Sequence, residues 1–347
     1  MQYIRTDANE IIGSGHVMRC LSIAEEFHER GEEVTFIIAD TCSQNMILER
    51  GFKTLCLYSR WNELDWEVNA LVRMIQEKQI SLLLIDSYFV TEYYLKIIGK
   101  YTKTAYIDDI NRFIYPVDFL INYNIYAETL AYQLRYCEAG INARFALGCR
   151  YAPLRKEFFS VKREARKRIS SILITSGGSD SYDVTGHLLK SINEWGWFES
   201  FDYYVILGRF NKNRCRLIND WKQFKNVHLL IDINNIVDYM KSCDIAITAG
   251  GVTTYELCAC GTPSIMYTLA DNQMDIARSV SELGLIPWVG DIRQDMSGCI
   301  KRILKYIEEF DKNTDSLQRI SQKMQDIVDG RGRVHIVNWL LGSGIAD

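Results

Sequence analysis

Strand-length apolar runs alternate with stretches of helical periodicity along nearly the whole chain. That alternation restricts the fold more than any other feature, because it calls for parallel strands joined by crossover helices. In the first half the strands read "MQYIRT", "EVTFIIA", "KTLCLY", "SLLLID", "TAYIDD" and "FLINY". Between them lie segments such as "VMRCLSIAEEFHERG", where Val17, Cys20, Leu21, Ala24 and Phe27 recur at helical spacing and Gly31 stands at the C-terminal cap. After "ALGCRYAPLRKEF" the pattern weakens, then restarts with "SSILITSGG", "FDYYVILG", "VHLLID", "IAITAGG" and "PSIMYT". A chain of 347 residues exceeds one ordinary domain. The expected fold class is therefore α/β, with two doubly wound Rossmann-like domains, residues 1–158 and 168–328, facing each other across a cleft. Residues 329–347 read as a terminal helix packing back on the first domain.

Composition excludes several classes of function. The formal net charge of -4 gives no reason to expect nucleic acid as a partner, and the basic run "KREARKR" (162–168) reads as a solvated face. No apolar run approaches the roughly 18 residues of a membrane span, so no stable membrane insertion is expected. The start "MQYIRTDANE" is charged within seven residues and lacks the apolar stretch of a secretory signal. Ten cysteines without C-x-x-C spacing read as reduced thiols, hence a cytoplasmic protein. The five histidines are dispersed and no H-E-x-x-H occurs, so neither a metal nor another cofactor is expected.

In open parallel sheets, ligands bind beyond the carboxyl ends of the strands, so the loops there carry the chemistry. The first, "EIIGSGHVMRC", holds Gly13, Ser14, Gly15, His16 and Arg19. A dinucleotide fingerprint would need glycine at 18, where Met18 stands. His16 falls at a helix start, whose positive end disfavours imidazolium; a neutral ring can serve as general base, or can simply brace the turn. In the second domain, "SILITSGGSD" presents Ser176, Gly177, Gly178 and Ser179, and "DIAITAGGVTTYELCACGTPSI" presents Gly250, Gly251, Thr253 and Thr254 at a helix start. Each offers backbone N–H groups and hydroxyls to a phosphate, without the G-K-[ST] ending of a P-loop. Glu256, one turn on, either receives ribose hydroxyls or only compensates the helix dipole. Asn272 and Gln273 in "LADNQ" suit sugar hydroxyls, a nucleophilic water or a plain polar turn. "LLLIDSYF" and "AYIDD" end neighbouring strands with Asp86, Ser87, Tyr88, Asp108 and Asp109. Tyr88 there is either a hydrogen-bonding group of the site or a partly buried core residue.

Taken together, "IRTDAN...IGSGHVMRCLSIA", "IDSY", "YIDD" and "AGGVTTYELCACGTPSI...LADNQ" resemble the PseG and SpsG family of UDP-sugar hydrolases over roughly residues 1 to 280. That resemblance implies the GT-B fold, shared with the MurG glycosyltransferases. It also implies inverting hydrolysis of UDP-2,4-diacetamido-2,4,6-trideoxy-β-L-altropyranose, with release of UDP, during pseudaminic acid or spore-coat polysaccharide synthesis. By the same resemblance His16 is the catalytic base, with Tyr88 and Asn272 near the reacting centre. Gly250, Gly251, Thr253 and Glu256 hold diphosphate and ribose, Gly178 belongs to the facing loop, and "ILGRF" around Gly208 flanks uracil. Gly13, Ser14, Gly15, Arg19, Thr254 and Gln273 complete the expected substrate contacts. The chain departs from the family in "IDSY", where Ser87 replaces the more usual histidine-like position, and in the aromatic segment "NYNIYAETLAYQLRYCEAG". Two other readings share these motifs. One is a UDP-sugar-dependent glycosyltransferase, in which His16 deprotonates an acceptor hydroxyl; the other is a nucleotide-sugar binding protein without catalysis.

Overall fold

The computed structural model describes residues 1–161, 168–208, 211–231, 233 and 235–342. Nearly all of the basic run at 162–168, and Arg209 and Phe210 of "ILGRF", lie outside the described residues. The chain divides into two units, Met1–Lys156 with Arg331–Asp347, and Glu157–Gly330.

The first unit is built on a seven-stranded sheet, every neighbouring pair parallel. Its strands are β1 (Gln2–Thr6), β2 (Val34–Ile38), β3 (Lys53–Cys56), β4 (Leu82–Asp86), β5 (Lys103–Ile107), β6 (Phe119–Asn122) and β7 (Arg144–Leu147). Their order, β3-β2-β1-β4-β5-β6-β7, reverses beside β1. Side chains alternate faces along a strand, so both faces must be apolar where helices cover both. Tyr3, Leu83 and Ile85 accordingly enter one core with Val68, Leu71, Ile75 and Tyr94, while Ile4, Phe36 and Leu84 are buried on the opposite face.

Strand β7 is absent from the sequence reading because "RFAL" is short and carries no alternating pattern. It forms on the aromatic segment before it. Tyr132 and Tyr136 of the helix Tyr132–Glu138 are buried against Phe145 of β7, with ring centroids 6.1 and 5.0 Å apart. The terminal helix Gly332–Leu340 joins this first unit. It packs on the helix Gly15–Glu29, where buried Arg333 meets Glu29 at 3.1 Å, Glu25 at 3.4 Å and Glu26 at 3.5 Å.

The second unit repeats the plan with six parallel strands. They are β8 (Ser171–Thr175), β9 (Asp202–Leu207), β10 (Val227–Ile231), β11 (Ile245–Ala249), β12 (Ser264–Thr268) and β13 (Trp288–Asp291). The order β10-β9-β8-β11-β12-β13 reverses beside β8. Ile172, Ile174, Val205, Ile245 and Ile247 form its core with Val184, Leu188 and Ile303. Strand β13, "WVGD", is again too short and too broken by Gly290 to read from periodicity. Among the described residues no disulfide joins the ten cysteines, and no helix is long and apolar enough to cross a membrane.

Candidate active site

A parallel sheet leaves a crevice where its strand order reverses, because the connections leave that point in opposite directions. In the first unit this point lies between β1 and β4, with Thr6 paired beside Asp86. The loop after β1 is closed by Asn9, whose Oδ1 accepts from the N–H groups of Ile11 and Ile12 at 2.9 and 3.0 Å, and whose carbonyl accepts from Gly13 at 2.9 Å. Ser14 then caps the helix Gly15–Glu29 through its backbone only, without a side-chain cap. His16 therefore sits in the first turn, and Arg19, three residues on, shares its face.

These two side chains converge on the end of β4. His16 Nδ1 lies 2.6 Å from Asp86 Oδ1. Arg19 Nε donates to Asp86 Oδ2 at 2.6 Å and its Nη2 to Asp86 Oδ1 at 2.5 Å, a fork on one carboxylate. Arg19 Nη1 donates to Asp109 Oδ2 at 2.5 Å and to the Tyr123 hydroxyl at 2.6 Å. The Tyr88 hydroxyl donates to the same Asp109 oxygen at 3.0 Å, and the Tyr88 ring meets the His16 ring edge-on at 4.4 Å between centroids. His16, Arg19 and Asp86 are buried, Tyr88 half-buried.

Burial by itself pushes the Asp86 carboxyl up, but Arg19 and His16 together outweigh it and hold the group well below the usual carboxylate range. An ionised Asp86 favours a hydrogen on His16 Nδ1 across the 2.6 Å contact, with Arg19 Nη2 also 3.1 Å from that nitrogen. A neutral ring so held carries its lone pair on Nε2, the tautomer a general base needs. The Tyr88 phenol is pushed the other way, upward, by burial and then by the charge of Asp109, and stays protonated. The Arg19 guanidinium is buried, holds both carboxylates and the Tyr123 hydroxyl, and lies 3.1 Å from His16 Nδ1 through Nη2. The pairing of His16 with Asp86 was missed in the sequence, where Asp86 stood only as one polar strand end among several. The signal available was the i, i+3 spacing of His16 and Arg19, two donors on one helix face with a strand-end carboxylate opposite.

In the second unit the reversal lies between β8 and β11. Gly177, Gly178 and Ser179 are exposed after β8, but the Ser176 hydroxyl is not available to a phosphate: it is buried, accepting from Tyr267 at 2.7 Å and paired with Thr185 at 3.0 Å. Gly208, after β9, presses on this loop. A Cβ there would stand 2.4 Å from the Gly178 carbonyl oxygen and 2.6 Å from that of Gly177, so only glycine fits. After β11, Gly250 donates to the Tyr267 carbonyl at 2.9 Å, and Gly251 caps the helix Val252–Cys260 at φ 129°, ψ -157°, a conformation open to glycine alone. The helix starts with no side-chain cap, its first N–H groups facing the glycine loop. Thr253 and Glu256 are half-buried, while Thr254 is fully buried and its hydroxyl has no partner among the described groups. Asn272 is exposed on the turn Asp271–Gln273, and Gln273 Oε1 accepts from Leu269 N–H at 2.9 Å, turning its amide onto its own loop.

The structure thus brings His16 and Tyr88 together in the first unit and places Gly178, Gly208, Gly250, Gly251, Thr253, Thr254, Glu256, Asn272 and Gln273 in the second. Among the described residues no cluster of His, Cys, Asp and Glu has the arrangement of a metal site.

Two doubly wound parallel-sheet domains of this order make the GT-B fold. The chain is similar to MurG of Acinetobacter baumannii, with a TM-score of 0.71 at 11% identity over 99% of this chain and 100% of that one. It is also similar to the UDP-GlcNAc 2-epimerase of Neisseria meningitidis bound to UDP-GlcNAc, with a TM-score of 0.68 at 12% identity over 99% and 100%. In sequence it resembles the UDP-2,4-diacetamido-2,4,6-trideoxy-beta-L-altropyranose hydrolase of Campylobacter jejuni, 24% identical over 73% of this chain and 86% of the relative. The spore coat polysaccharide biosynthesis protein SpsG of Bacillus subtilis is 25% identical over 78% of each chain. An uncharacterized protein of Methanocaldococcus jannaschii is 25% identical over 82% of this chain, which spans 60% of that relative's length. No family model matches.

Proposed function

We propose that this protein is an inverting UDP-sugar hydrolase acting on a diacetamido-trideoxy sugar, in the synthesis of a nonulosonic acid or a surface polysaccharide. The observation that carries the reading is the buried His16–Asp86 pair at the β1/β4 reversal, an imidazole whose Nδ1 is held on a carboxylate. Water bonds to the sugar C1 as the bond from C1 to the β-phosphate oxygen breaks. The bonding pair leaves with UDP, and one water proton passes to His16 Nε2. UDP departs more easily where its charge is compensated, which is the part assigned to the glycine loops and helix start of the second unit. The name of the Campylobacter relative supports the sugar class. Ten cysteines without a disulfide among the described residues accord with a reducing, cytoplasmic setting.

A glycosyltransferase is the second reading, favoured by the fold shared with MurG. A lipid acceptor would require an exposed apolar patch on the first unit. The aromatics from 113 to 137 are mostly core: Tyr115, Phe119, Tyr123, Tyr132 and Tyr136 are all buried. The reading is tested by incubating the protein with UDP-linked diacetamido sugars and no acceptor. Steady UDP release with an inverted C1 in the freed sugar is expected; turnover only after an acceptor is added assigns a transferase.

Replacing Gly208 by alanine checks the nucleotide assignment. The new methyl collides with two backbone carbonyls, so the loop after β8 has to move. A stability loss of about 1–3 kcal/mol is expected, with UDP affinity reduced at least about tenfold, equivalent to ~1.4 kcal/mol. Calorimetric UDP titration and thermal denaturation read both effects.

A further inference from the structure

Asp109 stands outside the base and its partner, yet it fixes what the half-buried Tyr88 presents. The phenol is a donor and an acceptor through one oxygen. Its single hydrogen is aimed at Asp109 Oδ2, 3.0 Å away, and that oxygen is itself held by Arg19 at 2.5 Å. An ion-paired carboxylate has nothing to donate back, so the phenol proton is committed inward and only lone pairs remain for whatever lies in front of the ring. His16, in edge contact with that ring, also presents a lone pair when neutral, on Nε2, with the Nδ1 hydrogen turned to Asp86. Two neighbouring groups of the site are therefore both acceptors, each made so by a carboxylate behind it, Asp86 buried and Asp109 half-buried, and both carboxylates are gripped by Arg19.

A nucleophile that satisfies two acceptors must bring two hydrogens. Water has two and an alcohol has one. On the reading of this protein as a hydrolase, we propose that Asp109 is a positioning residue that makes Tyr88 an acceptor and so selects water over a hydroxyl as the attacking group. The phenol, kept protonated by burial and by the Asp109 charge, does not change this polarity within the working range of pH.

The test uses the full chain, a UDP-sugar it turns over, and molar methanol in the medium, and measures the ratio of methyl glycoside to free sugar. Wild type is expected to give a ratio well below the molar ratio of methanol to water. Tyr88→Phe removes the second acceptor, and Asp109→Ala frees the phenol proton to donate to an alcohol oxygen. Each is expected to raise the ratio about five- to tenfold, the factor one net hydrogen bond represents. Asp109→Asn keeps an oxygen able to accept from both Tyr88 and Arg19, so its ratio stays nearer to wild type. Because Asp109 acts through Tyr88, the double variant Tyr88→Phe with Asp109→Ala goes no further than Tyr88→Phe alone. A merely structural loss at 109 slows both products equally and leaves their ratio fixed.

An unchanged ratio in Asp109→Ala, or effects that multiply in the double variant, overturns the proposal. If Asp109→Ala does not fold, an unchanged ratio in Tyr88→Phe overturns it and a raised one supports it. If wild type releases no UDP without an added acceptor, the hydrolase reading fails first, and water selection falls with it.

Discussion

Alanine at position 16 is expected to lower kcat for UDP release by about 10²–10⁴-fold, the range that a positioned general base contributes. KM is expected to change little, since the residues assigned to the nucleotide belong to the second unit and His16 to the first. The fold should survive. His16 occupies the first turn of its helix, and its loss leaves Asp86 still held in a fork by Arg19. Steady-state kinetics on one UDP-sugar, with circular dichroism to verify folding, separates the loss of a base from a loss of structure. A variant that kept most of its kcat would move the base elsewhere in the site.

Asparagine at position 86 is expected to damage both catalysis and stability. The amide can offer His16 Nδ1 either its oxygen or its nitrogen, so the proton is no longer confined to Nδ1 and part of the population loses the Nε2 lone pair. A fall in kcat of about 10²–10⁴-fold follows if the tautomer is what makes the base competent. Stability falls too, because Arg19 is buried and loses one of its two counter-charges. Removing one partner of a buried ion pair costs about 3–5 kcal/mol. The pH dependence has a definite sign. Burial raises the Asp86 carboxyl, Arg19 and His16 lower it by more, and the folded-state value ends below the unfolded one. Such a group binds its proton more readily when unfolded. Its contribution is therefore complete above the ordinary carboxylate range, near pH 4, and is lost as pH falls through and below it. Urea midpoints measured from neutral to acid pH should decline in wild type, and the decline should be smaller in Asp86→Asn.

Much of this architecture is legible before any coordinates, because strand alternation and strand-end glycines are local signals. "SLLLID" and "SILITSGG" announce buried strands whose last residues must face a loop, and those loops do carry the candidate groups. Gly31 is placed by the same local logic: it follows the last helical residues with φ 81°, its N–H bonded to the His28 carbonyl. What the sequence hides is pairing across distance. Nothing in the spacing of His16 and Asp86, or of Arg19 and Asp109, says that β1 and β4 are neighbours at the reversal point. The same blindness hides what Arg19 holds, since a lone arginine beside a glycine loop gives no hint of two carboxylates from other strands. The aromatic segment before β7 reads as a departure until its partners are known. Then Tyr132 is seen donating to Asp108 at 2.5 Å and accepting from Asn122 at 2.9 Å, a buried hydrogen-bonded link between the extra helix and the strand end that carries Asp109. Short strands such as "RFAL" and "WVGD" escape because four residues cannot display a period.

The central claim is that water, activated by His16, attacks the sugar carbon and not the phosphorus. Turnover of a UDP-sugar in ¹⁸O-labelled water without acceptor, followed by mass spectrometry of both products, tests it most directly. The account predicts one labelled oxygen on C1 of the released sugar and none in UDP. Label in UDP, or no release until an acceptor hydroxyl is supplied, would contradict it.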